Sequence, residues 1–218
     1  MPVQGFTPAA VVFDCDGLLM DTEPCWTIAE TELFARRGLP FGAEQKALLI
    51  GRSLGDACTA LAELFDDGVS PTALEAELME LVSDAVNRGA EAMDGAHELV
   101  ALIAEKVPVA VASNSPRDLL DCALKRGGFG GMFQVSIAAD EVISPKPSPE
   151  MYLTACRLLG HTPQQSAFFE DSGTGVRSAR AAGVYCAGVP SLPDTKLDAD
   201  VVFSTLRDPA IVKWIASW

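Results

Sequence analysis

The chain has 218 residues, of which 49% are hydrophobic and 21% charged, a composition that supports a well-packed globular core and argues against disorder. Its formal net charge of −14 disfavours binding to nucleic acid or to an anionic membrane surface, so we expect neither partner. No stretch approaches the roughly 20 consecutive apolar residues of a membrane-spanning helix.

The six cysteines are scattered along the chain and none forms a Cys-x-x-Cys pair, which indicates free thiols in a reducing compartment. The first apolar run has no basic segment before it and is broken at Asp14, so a secretory signal is not expected. We therefore expect a cytoplasmic protein. A monomer or a weak dimer is a separate expectation.

The first predicted element is a strand at residues 9–13, a short apolar run that contains two valines. Similar runs predict further strands at residues 107–112, 135–138, 167–169, 184–189 and 201–203. Segments with apolar residues at helical spacing lie between them. Strands that alternate with helices indicate an α/β fold with a doubly wound parallel sheet.

Residues 21–94 interrupt that alternation. They contain apolar residues at helical spacing, such as Leu74, Leu78 and Leu81, and no convincing strand. We therefore predict an all-helical domain at residues 21–94, inserted into a core made of residues 1–20 and 95–218.

Polar side chains that suit catalysis follow four successive predicted strands. In chain order they are Asp14 and Asp16, Ser113 and Asn114, Lys146, and Glu170 and Asp171. Each group alone has a simpler explanation, since such residues are common in turns and at helix N-termini. Ligands of open parallel sheets bind beyond the carboxyl ends of the strands, however. The four groups together therefore predict a catalytic site.

The chemistry that these residues fit is phosphoryl transfer through an aspartyl-phosphate. Asp14 would attack phosphorus, and Asp16 would protonate the leaving-group oxygen and then activate water. Lys146 would supply positive charge, while Ser113 and the backbone N–H group of Asn114 would hold the phosphate oxygens. The sequence therefore predicts a small phosphorylated metabolite as the partner.

A metal ion would help an anionic nucleophile to approach an anionic phosphate. Mg²⁺ prefers hard oxygen ligands, which the strand ends supply. We predict Mg²⁺ as the cofactor, with Asp14, the main-chain carbonyl group of Asp16, and Asp171 as ligands. Glu170 is an additional candidate ligand.

Four segments resemble the four motifs of the haloacid dehalogenase superfamily. They are Phe13-Asp14-Cys15-Asp16-Gly17-Leu18-Leu19-Met20-Asp21-Thr22-Glu23, Ala112-Ser113-Asn114-Ser115, Pro145-Lys146-Pro147 and Phe169-Glu170-Asp171-Ser172. The resemblance covers nearly the whole chain and is to the subgroup whose helical cap follows the first motif. It implies a Rossmann-like core, a mobile helical cap, Mg²⁺, and the catalytic roles described above.

Within that superfamily the sequence favours a phosphatase. Metal-free dehalogenases lack an aspartate at the position of Asp16. Phosphonatases use a cap lysine that follows a glycine, whereas Lys46, the only lysine of the insertion, precedes Gly51. β-Phosphoglucomutases are similar in all four motifs but carry a histidine in the cap hinge, where this chain has Trp26. A β-phosphoglucomutase-like phosphosugar mutase stays as the alternative.

Two segments of the insertion suggest the substrate class. Glu23-Pro24-Cys25-Trp26 resembles a segment of sugar-phosphate and hexitol-phosphate phosphatases. Gly51-Arg52-Ser53 resembles the substrate-specificity loop of the cap. Arg52 would contact a polar or anionic leaving group there, although a solvated arginine in a turn is an equally simple explanation. We therefore expect a sugar or polyol phosphate as the substrate.

Two other classes of protein share some of these features. Receiver-type phospho-acceptor switches combine a doubly wound sheet, an aspartyl-phosphate, Mg²⁺ and a lysine, but they lack a counterpart of Asp16 and a large insertion. Dinucleotide-binding oxidoreductases carry Gly-x-Gly-x-x-Gly in the first strand–helix unit. The nearest approach here, Gly173-Thr174-Gly175, follows the fourth predicted strand and has serine at the third glycine position.

Overall fold

A computed structural model describes residues 5–49, 54–191 and 195–218. These residues form two compact units, one made of residues 5–21 and 91–218 and the other of residues 22–90. The first unit contains a parallel sheet covered by helices, and the second is helical. The predicted α/β fold class is confirmed.

The strands of the first unit carry the site. They are β1 (Ala10–Phe13), β2 (Met20–Asp21), β3 (Glu91–Ala92), β4 (Val109–Ala112), β5 (Val135–Ile137), β6 (Ser166–Glu170), β7 (Tyr185–Gly188) and β8 (Val201–Val202). Six of them form the parallel sheet in the order β5-β4-β1-β6-β7-β8. This is the doubly wound Rossmann order, in which the direction of winding reverses beside β1.

Helices occur in both units. Those of the second unit are α1 (Glu23–Ala35), α2 (Ala43–Leu49), α3 (Leu54–Phe65) and α4 (Pro71–Gly89). Those of the first are α5 (Ala96–Ala104), α6 (Arg117–Arg126), α7 (Glu150–Leu159), α8 (Gly173–Ala182) and α9 (Pro209–Ala216). Across the described ranges, no helix is long and apolar enough to cross a membrane.

The core of the first unit fixes the carboxyl ends of the central strands. Every residue of β1, β4 and β6 is buried, as expected for strands that are covered on both faces. On one face, Val12 and Phe168 pack with Tyr152 of α7 and Val176 of α8. Full burial of a side chain such as Phe168 contributes about 1.5–3 kcal/mol. The site is therefore built on rigid elements.

The second unit is a helical bundle in which α1 and α3 both pack against α4. Helix α4 begins at Pro71, and the preceding Ser70 accepts a hydrogen bond from the N–H group of Ala73 at 3.2 Å. A serine N-cap followed by proline at the first helical position is a strong helix start. The apolar stripe that predicted this helix, including Leu74 and Leu78, is buried.

The sheet unit also contains a short antiparallel ladder of β2 with β3. Met20 pairs with Ala92 and Asp21 with Glu91, and this pairing places residues 91–94 in the sheet unit. The two compact units divide at 21/22 and 90/91, and the domain bounds at 20/21 and 94/95 stay a prediction.

Candidate active site

The carboxyl end of β1 carries two aspartates. The N–H group of Asp14 donates to the carbonyl oxygen of Phe169 at 3.0 Å, so the ladder between β1 and β6 continues one residue beyond β1. Gly17 then turns the chain with a φ of +81°, and a Cβ atom at this position would overlap the carboxylate of Asp171. Glycine is needed here for both reasons, and it lets the β1 loop lie against Asp171.

The carboxyl end of β6 carries two more carboxylates, which are both buried. Glu170 is fully inaccessible, and Asp171 is 7% exposed. A Cβ atom at Gly175, in the first turn of α8, would overlap the carboxylate of Glu170, so this glycine leaves the space that the carboxylate fills. Ser172 caps α8 by accepting a hydrogen bond from the N–H group of Gly175 at 3.1 Å.

Lys146 joins these two strand ends. Its Nζ atom lies 2.6 Å from Asp14 Oδ1 and 2.8 Å from Glu170 Oε1. Asn114 fixes the main chain of Lys146, because its Nδ2 donates to the carbonyl oxygen (3.0 Å) and its Oδ1 accepts from the N–H group (2.9 Å). The side-chain amide of Asn114 therefore positions Lys146. The predicted contact between the backbone N–H group of Asn114 and a phosphate oxygen stays a prediction.

Burial sets the protonation of the carboxyl groups. It raises the pKa of Asp14, raises that of Glu170 well above its usual value, and raises that of Asp171 to about 7. Burial alone would lower the pKa of Lys146, but the charges of Asp14 and Glu170 outweigh it and raise that pKa. One ammonium group thus faces three buried carboxyl groups, and a further positive charge would lower the pKa of each.

Asp14, Glu170 and Asp171 could hold a metal ion. One carboxylate oxygen of each lies within 4.8 Å of the others. Among the residues that the structure describes, Glu170 Oε2 and Asp171 Oδ1 are buried without a hydrogen-bond partner, which is costly unless a cation binds them. The cluster brings together three of the four predicted ligand residues. The predicted ligation by the carbonyl group of Asp16 stays a prediction.

Asp16 is held by a different set of partners. Its Oδ2 atom accepts hydrogen bonds from Ser113 Oγ at 2.7 Å and from Ser115 Oγ at 2.9 Å. In this structure Ser113 donates its hydroxyl proton to Asp16. The predicted contact of Ser113 with a phosphate oxygen stays a prediction.

Two hydroxyl groups of the site were not predicted. One is that of Ser115, to which the sequence pattern gives no role of its own. The other is that of Ser191, whose Oγ donates to Asp171 Oδ2 at 2.6 Å. Ser191 follows β7 by three residues, so the rule that ligands bind beyond strand ends also points to it.

Two predicted features of the insertion have different outcomes. Arg52 lies outside the described residues, so its contact with a leaving group stays a prediction. Lys46 Nζ pairs with Glu30 at 2.7 Å and with Glu23 at 2.9 Å. Burial alone would lower the pKa of Lys46, but these carboxylates raise it, and a protonated amine is unsuited to Schiff-base chemistry.

The sheet order and the cluster of carboxylates with a lysine beyond its strand ends define a class of α/β enzymes. The family model of haloacid dehalogenase-like hydrolases matches residues 8–183, and the chain belongs to that family. The resemblance of the four motifs is thereby confirmed.

Individual relatives indicate which kind of hydrolase the chain is. The chain is 34% identical to validoxylamine A 7'-phosphate phosphatase of Streptomyces hygroscopicus subsp. limoneus, with 93% of this chain and 95% of that protein covered. It is 30% identical to a fructose-1-phosphate phosphatase of Escherichia coli, with 81% and 93% covered. A solved structure from Thermotoga maritima, provisionally named a β-phosphoglucomutase, is similar with a TM-score of 0.80 at 26% identity, with 95% and 98% covered. The chain is a phosphoric monoester hydrolase.

Proposed function

We propose that the protein is a Mg²⁺-dependent phosphatase that hydrolyses a small phosphomonoester of a sugar or polyol through an aspartyl-phosphate on Asp14. The observation that carries this proposal is the position of Asp14. Its carboxylate lies at the switch point of the sheet, 2.6 Å from the ammonium group of Lys146 and close to two further carboxylates. A buried carboxylate beside fixed positive charge is suited to attack an anionic phosphorus centre.

The reaction would proceed in two steps. In the first, an Asp14 oxygen forms a bond to phosphorus as the bond to the leaving oxygen breaks, and Asp16 gives its proton to that oxygen. In the second, Asp16 takes a proton from water, and the water oxygen displaces Asp14 from phosphorus. Inorganic phosphate leaves, and both aspartates return to their starting protonation states.

The positive charge of the site would come from Lys146 and from a metal ion. Asp14, Glu170 and Asp171 would hold Mg²⁺, since the cluster offers only oxygen donors, two of which are buried without a partner in the described part of the chain. When bound, Mg²⁺ would stabilise charge on the transferring phosphoryl group. Lys146 would hold Asp14 in the attacking orientation and keep a fixed charge beside the phosphate.

The substrate class rests on the relatives and on the sequence of the insertion. Two relatives are named for phosphorylated carbohydrate-like substrates, validoxylamine A 7'-phosphate and fructose 1-phosphate. Trp26, where mutases of this type carry a histidine, favours hydrolysis over transfer to a second sugar hydroxyl. We therefore place a sugar or polyol phosphate first among the candidates.

A Mg²⁺-dependent phosphate-release screen tests this proposal. We expect the purified protein to release phosphate from p-nitrophenyl phosphate and from one or more sugar or polyol phosphates, and to lose that activity with excess chelator until Mg²⁺ is added back. Conversion of glucose 1-phosphate to glucose 6-phosphate with little free phosphate would contradict hydrolysis and favour a mutase. Full activity in chelator would contradict the metal requirement.

A second prediction concerns Asp171 and the pH dependence of stability without metal. The pKa of Asp171 is about 7 in the folded protein, against an ordinary value of 3.8. Between these values the folded state keeps a proton that the unfolded state has released, so ionisation costs stability as pH rises. In chelator, Asp171→Asn should therefore become more stable relative to the wild type between about pH 4 and pH 7, by about 2–4 kcal/mol.

Urea unfolding of the wild type and of Asp171→Asn, at several pH values in that window, measures this difference directly. Millimolar Mg²⁺ should stabilise the wild type and have little effect on the variant, because ligand binding to the folded state alone raises its stability. A difference that is flat with pH would show that Asp171 does not titrate in this range. Equal stabilisation of both proteins by Mg²⁺ would show that Asp171 does not hold the metal.

A further inference from the structure

Two serine hydroxyl groups converge on one oxygen of the proposed acid/base. Ser113 Oγ and Ser115 Oγ both donate to Asp16 Oδ2, at 2.7 Å and 2.9 Å. Both serines are buried, whereas Asp16 is half-buried. Two donors on a single oxygen fix the rotation of a planar carboxylate, and with it the position of its other oxygen.

The loop that carries these serines is itself fixed to the sheet. The N–H group of Ser113 donates to Ile137 of β5 at 3.0 Å, and the carbonyl oxygen of Ser115 accepts from the N–H group of Ala139 at 3.0 Å. Ser113 Oγ also accepts from the N–H group of Ser115 at 2.9 Å. The two hydroxyl groups are therefore presented from a rigid turn at the end of β4.

Ser115 does not serve as the cap of the following helix. Helix α6 begins after Pro116, whose side chain makes no cap hydrogen bond, and the N–H group of Arg117 at its start donates to Asp140 Oδ1 at 2.9 Å. The hydroxyl group of Ser115 donates instead to Asp16, which is 99 residues away along the chain. A hydroxyl group that capped α6 would accept a hydrogen bond from an N–H group of its first turn. The partner of Ser115 is instead an aspartate of the catalytic loop after β1.

The hydroxyl group of Ser113 has one proton, which it gives to Asp16 here. If Ser113 turns to donate to a phosphate oxygen, Asp16 keeps the hydrogen bond from Ser115. We propose that Ser115 is a positioning residue, which holds Asp16 so that its proton is aimed at the leaving-group oxygen. This inference rests on the proposed function, in which Asp16 is the acid of the first step.

Substrates with different leaving groups distinguish a positioning role of Ser115 from a purely structural role. A sugar alkoxide is a strong base and leaves phosphorus only if Asp16 protonates its oxygen as the P–O bond breaks. A p-nitrophenolate ion is a weak base and leaves without a proton. A misplaced acid should therefore slow hydrolysis of the sugar phosphate but not that of the nitrophenyl ester. A damaged fold should slow hydrolysis of both.

The test compares kcat/KM, which reports formation of the aspartyl-phosphate, for p-nitrophenyl phosphate and for the best sugar or polyol phosphate of the screen. Ser115→Ala should reduce kcat/KM for the sugar phosphate by roughly 10- to 100-fold, and that for the nitrophenyl ester by less than about threefold. Added to Asp16→Asn, the same change should alter the sugar-phosphate value by less than about twofold, since the group that Ser115 positions is already gone.

Ser166→Ala is the matched control. Ser166 is also buried, begins β6 at the opposite end of that strand from Glu170, and donates to the carbonyl oxygen of Thr162 at 2.9 Å. The ratio of the two kcat/KM values should not change in this variant. Equal losses on both substrates in Ser115→Ala, or no loss on either, would overturn the proposal. Failure of the proposed function would show separately, as no phosphate release by the wild type from either substrate, and the inference would then fall with it.

Discussion

Replacing Asp14 by asparagine should reduce phosphate release by at least about a thousandfold, because the variant lacks the attacking group. The asparagine side chain has nearly the same shape, and its oxygen can still accept the hydrogen bond that Lys146 Nζ gives to Asp14 Oδ1. The loss should therefore reflect chemistry and not misfolding. Phosphate release by the variant and the wild type, measured on p-nitrophenyl phosphate with Mg²⁺, checks this expectation.

Two controls accompany Asp14→Asn. Asp118→Asn removes the same charge from an exposed position on α6 and should leave phosphate release unchanged. Thermal unfolding of Asp14→Asn in chelator should show equal or higher stability than the wild type, because Lys146 keeps Glu170 as its partner and burial makes ionisation of Asp14 costly. More than a tenth of the wild-type activity in Asp14→Asn would be incompatible with nucleophilic catalysis by this residue.

Replacing Lys146 by methionine should damage both stability and activity. The side chain of Lys146 is 4% exposed, and its ammonium group pairs with Asp14 and Glu170. Removing one partner of a buried ion pair typically costs about 3–5 kcal/mol, because the remaining charge is left without compensation. Phosphate release should fall by at least about a hundredfold, since a fixed charge beside the phosphate is lost.

The destabilisation by Lys146→Met should depend on pH. Without the ammonium group, Asp14 and Glu170 can avoid the cost of burial by taking up protons, so the loss should be smaller at about pH 5 than at about pH 8. Urea unfolding in chelator at both pH values measures it, with Lys125→Met, at an exposed position on α6, as the control. An equal loss of stability at both pH values would show that Lys146 does not keep the carboxyl groups of Asp14 and Glu170 ionised.

The six strands of the parallel sheet could be predicted because each contains a short run of apolar residues in the sequence. Their ends were less accurate. Residues 107–112 predict a strand, but β4 begins at Val109, since Pro108 has no N–H group for the ladder and Val107 still donates to Ile103 of α5. Strand β6 extends to the polar residues Ser166 and Glu170, whose backbone pairs with β1 and β7.

The ladder of β2 with β3 could not be predicted from local sequence. Each strand has only two residues, and their partners lie about seventy positions apart along the chain. No period of apolar residues can be recognised in two positions. The pairing depends on how both segments leave the sheet unit, which local sequence does not encode.

The proximity of the candidate site residues could be predicted from the sequence because strand ends of a parallel sheet meet at one edge. Their partners could not, since a hydrogen bond between loops depends on the conformation of both. Asn114 illustrates this difference, because its amide holds the main chain of Lys146. Ser115 and Ser191 illustrate it as well, because each donates to an aspartate of another loop.

Trapping of the covalent intermediate tests the central claim most directly. Acid quench of the enzyme during turnover, followed by borohydride reduction, converts an aspartyl-phosphate to homoserine, which peptide mass spectrometry locates. We predict conversion at Asp14, only in the presence of substrate and Mg²⁺. Conversion at Asp16 or Asp171, or phosphate release with no conversion at any aspartate, would contradict Asp14 as the nucleophile.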